Sequence, residues 1–382
     1  MNAEDVRALF PITETRAYLF SGGVAPASAL SVKAAQAHLG YLTDDAQDLY
    51  MHNEDDLIAV RRLFAELMGA DEEEVAITEG TSAGSNIAVD LIEPLPGSNV
   101  VIDEFVYPSS LYPWLLPPRD GLERRFVRAR DGVIHLEDVE RMVDDRTIAI
   151  SITHVTPFEG FRHDVTELAR IAHAHDAVLI VDGAQSAGAM DIDLHKTNVD
   201  FFSCCAMKWL LGSAGVGFLY IARRHLDRVP SRAGYVGGGF EIQNFSLVPT
   251  ARRFELGMPN LIGLAYTRPG LEILLETGTR QVEEHVLELA GYCISGMKEH
   301  GINVITPEEP ERRLGVIASY VENAQELVDF LRGRGVDTFA ASIPTWYKSE
   351  GGRGDLFRVD PHVFNNREDV DRLLDGLGSY RR

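Results

Sequence analysis

The sequence has little of several features that would indicate particular classes of protein. Its 382 residues include only 3 cysteines (Cys204, Cys205 and Cys293), with no CxxC spacing. This argues against a disulfide framework and a zinc site, and we expect no metal. No apolar run is long enough to cross a bilayer, and the acidic N-terminus MNAEDVRALF lacks the apolar region of a signal peptide. We therefore expect a cytoplasmic protein.

Positive charge is also scarce. Lys and Arg number 36 against 58 Asp and Glu, which gives a net charge of −22. Such a charge argues against nucleic acid and anionic membranes as partners. The hydrophobic content of 45% and the charged content of 25% are typical of a globular protein, and the length suggests two domains.

The clearest chemical pattern lies in residues 177–221. An apolar run ends at Asp182, which predicts a buried strand with a carboxylate at its C-terminal end, where ligands of α/β sheets bind. A second run, Val199–Phe202, leads to Lys208 among apolar neighbours, and Gly217–Ile221 predicts another strand. A lysine in such surroundings is costly to bury in its charged form.

These two residues favour pyridoxal 5′-phosphate (PLP) as cofactor. A neutral amine can attack an aldehyde and form a Schiff base, which is the role expected of Lys208. A carboxylate such as that of Asp182 can keep a pyridine nitrogen protonated, so that the ring acts as an electron sink. The alternative is that Asp182 caps a strand end and Lys208 lies on the surface.

The motif VDGAQSAG, followed by KWLLGSAGVGFLY, resembles the class V aminotransferase family of fold-type I PLP enzymes. Nearer relatives within it include isopenicillin N epimerase-like proteins, carbon–sulfur lyases and cysteine desulfurases. The resemblance covers nearly the whole chain and implies an α/β fold, with a mostly parallel central sheet in a large domain and a smaller α+β C-terminal domain. We expect an N-terminal arm (1–20), a PLP-binding domain (21–258) and a small domain (259–382). A homodimer is also implied.

A predicted strand at Val75–Thr78, a turn of small residues and a helix through Ile92 form a physical anion site, because free N–H groups and the positive helix end face the ligand. The resemblance assigns Thr81 and Ser82 to the PLP phosphate; the alternative is an ordinary N-cap. Cys205 stands where the desulfurases have a phosphate-binding serine, and is a poorer donor.

The family also suggests how the ring is held. Tyr107 takes the place of the aromatic or histidine residue that stacks on PLP, although it could instead be a core tyrosine. Gln185 lies three residues after Asp182 and resembles the family's hydrogen-bond donor to the cofactor's O3′.

Two residues are candidates for binding the substrate. Arg358 precedes a PHVFNN stretch and resembles the arginine that binds the substrate carboxylate, for which its planar fork is suited. A structural ion pair is the alternative for Arg358. Glu159 can also contact substrate, or be a solvated loop residue.

The reaction type is less constrained than the cofactor. In the desulfurases a loop just before this arginine carries the catalytic cysteine, whereas SIPTWYKSEGGRGD has none, so persulfide chemistry is disfavoured. Chemistry based on a single lysine remains, and we favour a β-eliminating carbon–sulfur lyase acting on a thioether-bearing amino acid. An aminotransferase, an epimerase, or a non-catalytic regulatory or scaffold protein are the alternatives.

Overall fold

A computed structural model describes residues 1–117, 119, 121–130, 132–238, 243–341 and 355–380, with backbone only for residues 47–56. Within these residues, no helix combines the length and apolar character that a membrane span requires. Residues 342–354, which make up all but the last residue of the segment SIPTWYKSEGGRGD compared above with the desulfurases, lie outside the described residues.

The strands, in chain order, are β1 (Ala17–Tyr18), β2 (Val75–Thr78), β3 (Asn99–Asp103), β4 (Glu123–Val127), β5 (Thr147–Thr153), β6 (Val178–Asp182), β7 (Phe201–Cys205), β8 (Gly217–Ile221), β9 (Ile317–Val321), β10 (Val336–Asp337), β11 (Phe339–Ala341) and β12 (Asp355–Val359).

The α-helices are α1 (Ala3–Ala8), α2 (Ala29–Asp44), α3 (Ala46–Leu67), α4 (Thr81–Asp90), α5 (Pro108–Leu115), α6 (Leu136–Met142), α7 (Val165–His173), α8 (Leu194–Thr197), α9 (Leu261–Thr277), α10 (Thr279–Glu299), α11 (Ala324–Gly333) and α12 (Arg367–Tyr380).

The largest sheet has seven strands in the order β2-β8-β7-β6-β5-β3-β4. Neighbours from β7 to β4 are parallel, and only β8 runs against the others. The carboxyl ends of β2, β3, β5, β6 and β7 therefore meet at one edge. This α/β architecture confirms the predicted fold class.

Alternating side chains bury both faces of this sheet. Val101 and Val181 belong to a core shared with α7 and α9, whereas Val100 and Ile180 face the opposite side, with α4 and α5. Successive strand residues point to opposite faces, so a run of apolar residues is what a sheet covered by helices on both sides requires. Asp164 begins α7 by accepting a hydrogen bond from the N–H of Glu167, as the sequence predicts.

A second, antiparallel sheet has the order β11-β12-β9 and packs with α10, α11 and α12 around a separate core. Two observations bear on the expected domain limits, which stay a prediction. Strand β1, from the expected N-terminal arm, pairs with β10. Helix α9, on the far side of the expected boundary at residue 259, packs on α2 and α3.

Some local predictions differ from the structure. The sequence predicts one strand over Val336–Ile343, but the described part of this range forms β10 and β11, which pair with different partners, β1 and β12. Apolar residues at helical spacing over Leu57–Gly69 predict a helix from Leu57, whereas helix α3 begins at Ala46. Its first turns carry AQDLYMHNEDD, in which polar residues obscure the helical period.

We predict that Gly217→Ala destabilises the protein by about 1–3 kcal/mol, because overpacking forces backbone shifts. A Cβ at this position would lie 2.4 Å from the Cα of Gly80 and 2.5 Å from the carbonyl oxygen of Cys204, both of them backbone atoms. Urea unfolding measures the change.

The matched control is Gly40→Ala, in α2, where a Cβ meets nothing within 4 Å. This change should stabilise the helix by about 0.5–1 kcal/mol, because alanine loses less backbone entropy than glycine. Equal unfolding midpoints for the two variants would contradict the packing argument.

Candidate active site

A cavity of about 710 Å³ opens at the carboxyl edge of the large sheet. Segments from both sheets form its wall, together with Phe20, Gly22 and Gly23 from the N-terminal segment. Of the nine predicted site residues, eight line this cavity: Thr81, Ser82, Tyr107, Asp182, Gln185, Cys205, Lys208 and Arg358. The structure therefore brings together residues that lie far apart in the chain.

Asp182 ends β6 and is only 2% exposed. Burial raises the pKa of its carboxyl, and this effect is opposed by the Ala184 N–H, the charge of Lys208 and the hydroxyls of Ser110 and Ser109. Its Oδ1 accepts from the Ala184 N–H at 2.9 Å, while its Oδ2 accepts from Ser110 at 2.9 Å and from Ser109 at 3.2 Å. Donors therefore surround a carboxylate that burial alone would neutralise.

Lys208 follows β7 by three residues, and its Nζ lies 5.9 Å from the centroid of the Tyr107 ring. Tyr107 precedes α5, and its ring centroid is 6.3 Å from that of Phe158. At 44% exposure Tyr107 is not a core tyrosine. The amine and the aromatic wall thus share one cavity.

The turn before α4 provides an anion site. Gly80 precedes the helix with a φ of +149°, a value that glycine adopts readily, and no side chain caps the helix N-terminus. The Oγ1 of Thr81 is buried without a hydrogen-bond partner among the described residues. Free N–H groups, a helix dipole and an unsatisfied hydroxyl are what a phosphate group would complete, so the site fits PLP.

Two positions depart from the desulfurase pattern: Cys205, and Met258, where RRFELGMPN resembles a family motif RFExGTPN that has threonine. They differ in location. Cys205 borders the phosphate turn, because a Cβ built on Gly80 would lie 3.8 Å from its Cβ. Met258 is 45% exposed and lines a smaller adjoining pocket, not the main cavity. Neither supplies the hydroxyl that the relatives carry.

The orientation of the Gln185 amide is fixed by its neighbours. The indole N–H of Trp209 donates to Gln185 Oε1 at 2.7 Å, and Gln185 Nε2 donates to the carbonyl of Gly22 at 3.0 Å. Since an indole nitrogen only donates, Oε1 must face Trp209. The second proton on Nε2 is left available for a ligand, in keeping with the predicted donor role.

Arg358, on β12, is 4% exposed, and its charge is partly compensated. Its Nε pairs with Asp360 Oδ2 at 3.0 Å, its Nη1 donates to the Pro157 carbonyl at 2.7 Å, and its guanidinium lies 4.8 Å from the Phe339 ring centroid. Both of the sequence alternatives therefore have support, because the residue forms an ion pair and also lines the cavity. The remaining nitrogen, Nη2, has no partner among the described residues and is available to a carboxylate.

Glu159 is the predicted site residue that does not line the cavity. It is 3% exposed, so it is not a solvated loop residue either. Burial raises the pKa of its carboxyl well above the usual value, and the charges of Asp103 and Glu104 act in the same direction. The segment TPFEGF folds inward and carries the Glu159 carboxyl into the protein.

Sequence reasoning missed three residues that act on the predicted ones. Ser109 and Ser110 donate to Asp182, and Asp360 pairs with Arg358. Asp360 also explains why glycine occupies position 22, because a Cβ there would lie 2.8 Å from Asp360 Oδ2. Arg358, on β12, and Asp360, directly after this strand, are two residues apart, and continued extended backbone would have placed both on the same face. No comparable signal connects Ser110 to Asp182.

Comparisons with known proteins give matches over most of the chain. The family model described as "Aminotransferase class-V" matches residues 18–373. A cysteine desulfurase of Salmonella agona strain SL483 is 28% identical over 408 residues, covering 99% of this chain and 98% of the relative.

Solved structures agree on the fold. The apo cysteine desulfurase of Thermococcus onnurineus NA1 superposes with a TM-score of 0.89 at 24% identity, covering 99% of this chain and 97% of the other. The cystine C–S lyase C-DES, in complex with its reaction product cysteine persulfide, superposes with a TM-score of 0.87 at 19% identity, covering 97% and 99%.

A buried carboxyl beside the site gives a pH-dependent prediction. Burial raises the pKa of Asp103 to about 7, despite the Thr153 N–H that it accepts at 3.1 Å. The unfolded chain releases this proton near pH ~4, whereas the folded protein keeps it, so rising pH favours unfolding between those values. Asp103 should therefore lower the free energy of unfolding by up to about 1.4 kcal/mol per pH unit in this range.

Asp103→Asn keeps the acceptor oxygen and removes the titration. The stability of the variant, measured by urea unfolding from pH 4 to 7, should fall less steeply with pH than that of the original protein. Parallel curves would show that Asp103 does not titrate in this range.

Proposed function

The chain belongs to the class V aminotransferase family and is a PLP-dependent enzyme, and from this premise we propose that it is a β-eliminating carbon–sulfur lyase acting on a thioether-bearing amino acid. One observation carries the choice of reaction. Of the three cysteines, Cys204 and Cys293 are fully buried, and Cys205 borders the phosphate turn. No thiol is therefore available at the substrate end to accept sulfur.

The similarity to cysteine desulfurases thus supports the cofactor and substrate class more than the reaction. Transfer of the substrate's sulfur to an enzyme cysteine requires a nucleophilic thiolate that reaches that sulfur. Burial raises the pKa of both Cys204 and Cys293, which disfavours their thiolates. The sequence SIPTWYKSEGGRGD adds no cysteine. Elimination needs only a base at the α-carbon and a leaving group at the β-carbon.

We assign roles to the cavity residues accordingly. When bound, PLP supplies an electron sink conjugated with the substrate's α-carbon. Thr81, Ser82 and the start of α4 hold the phosphate, Tyr107 flanks the ring, and Gln185 donates to the ring oxygen. Asp182 holds a proton at the ring nitrogen.

Arg358 and Lys208 act on the substrate. Arg358 Nη2 binds the carboxylate, which orients the bonds at the α-carbon. Lys208 Nζ would take the α-proton, and the thiolate would leave with the electron pair of the Cβ–S bond. Hydrolysis of the unsaturated amine releases ammonia and a 2-oxo acid. Phe20, Phe158 and Phe339 exclude water from the α-carbon.

The test is incubation of the holoenzyme with amino-acid thioethers without any 2-oxo-acid acceptor. Continuous release of thiol and ammonia in equal amounts, with the cofactor's visible band retained, is the expected result. Lys208→Ala should reduce the rate by at least about 10²–10⁴-fold, because the general base is lost. One equivalent of amino transfer followed by arrest would instead indicate an aminotransferase.

We infer that a second copy of the chain covers the surface beside the phosphate turn. Tyr235, Leu256, Met258 and Ile262 are between 37% and 51% exposed there. Residues 257–260 line a pocket that shares Glu79, Gly215 and Val216 with the main cavity. Exposed apolar clusters of this kind mark interaction surfaces.

Met258→Asp should convert a dimer into a monomer in sedimentation velocity and weaken PLP binding, because a buried charge disfavours the interface. Leu95→Asp, at a position 61% exposed elsewhere on the surface, is the control and should leave the mass unchanged. A Met258→Asp protein that still sediments as a dimer would refute this interface.

A further inference from the structure

A chain of three hydrogen-bonded serine hydroxyls leads to the Asp182 carboxylate. Ser203 Oγ lies 3.0 Å from Ser85 Oγ, which lies 3.2 Å from Ser110 Oγ, and Ser110 donates to Asp182 Oδ2 at 2.9 Å. Ser85, Ser110 and Ser203 are each at most 2% exposed. The chain joins three elements, α4, α5 and β7, to the end of β6.

The direction of these hydrogen bonds is fixed by chemistry. Each hydroxyl carries one proton, and an ionised carboxylate only accepts. If Ser110 gives its proton to Asp182, it must accept from Ser85, which in turn accepts from Ser203. All three dipoles then point towards Asp182, and hydrogen bonds in such a chain polarise one another.

A close contact between elements makes the chain possible. A Cβ on Gly84 would lie 2.8 Å from the Cβ of Ser203, so glycine at this position lets α4 approach β7. The neighbouring Ser85 then reaches both Ser203 and Ser110. The same helix begins at the phosphate turn, so the two ends of the cofactor site share one rigid element.

We propose that Ser110, supported by Ser85 and Ser203, is a positioning residue that fixes the Asp182 carboxylate and helps it to hold the proton on the ring nitrogen of PLP. This inference rests on the proposed function. Ser109 donates to the same oxygen at 3.2 Å and shares the role. With Ala184 on Oδ1, three of the carboxylate's roughly four acceptor positions are used, which leaves one for the ring N–H.

The direct test is the ¹⁵N NMR signal of the holoenzyme reconstituted with PLP labelled at the ring nitrogen, because that signal reports whether the nitrogen is protonated. In the original protein we expect the protonated position. In Ser110→Ala it should move part of the way towards the neutral position, and further in Ser109→Ala/Ser110→Ala. PLP affinity should fall by about 10- to 100-fold in the double variant, as for hydrogen bonds to charged groups.

Two further variants separate positioning from general damage. Ser151 is a buried serine on β5, where it pairs with Ile180 of the neighbouring strand β6. Ser151→Ala removes a buried hydroxyl that does not bond to Asp182, so it should leave the ring-nitrogen signal unchanged. Ser110→Thr retains the hydroxyl and should restore the signal. Circular dichroism establishes that each variant folds; if the double variant does not, Ser110→Ala decides alone.

A ring-nitrogen signal in Ser110→Ala, and in the double variant if it folds, that matches the original protein would overturn the proposal. Failure of the proposed function is recognised separately. In that case the original protein would release no thiol and ammonia from amino-acid thioethers, whereas its ring-nitrogen signal and the shift of that signal in Ser110→Ala would still be observed.

Discussion

The site depends on one buried negative charge. Asp182 lies at the end of a strand that is apolar over its other residues, and burial alone drives its carboxyl towards the neutral form. Ionised, it can hold a proton on a pyridine ring; neutral, it cannot. The Ala184 N–H, two serine hydroxyls and the charge of Lys208 all favour ionisation. Much of the surrounding structure can be understood as the means of keeping this group charged.

The geometry of the large sheet brings the other residues of the site to Asp182. Strands β2, β6 and β7 end at the same edge of the sheet. The phosphate turn, Asp182 and the segment carrying Lys208 therefore lie close together, although they are far apart in the sequence. The second sheet then contributes Arg358 and Phe339 to the same cavity. Under the proposed function, a substrate held between the two sheets would meet a cation for its carboxylate and an amine for its α-proton.

Patterns within a few residues were enough to predict Asp182, Lys208 and an anion site, whereas the family resemblance supplied the fold class and the roles of Tyr107, Gln185 and Arg358. Apolar runs ending in Asp182 and leading to Lys208 identified the strand ends, and the small residues after Thr78 identified the anion site. Glu159 shows the limit of such reasoning. Its loop contains proline and glycine and resembles an exposed turn, yet tertiary packing buries the carboxyl beside Asp103 and Glu104. The contacts of Ser110 and of β1 with β10 are equally non-local, and no periodicity encodes them.

The most direct measurement of the central claim is the position of the covalent bond to the cofactor. The purified holoenzyme is reduced with borohydride, digested and analysed by mass spectrometry. The account predicts that the pyridoxyl label is found on the peptide containing Lys208 and on no other lysine. A label on another lysine, or a saturated protein without any label, would contradict the assignment of Lys208 and with it the mechanism built on this cavity.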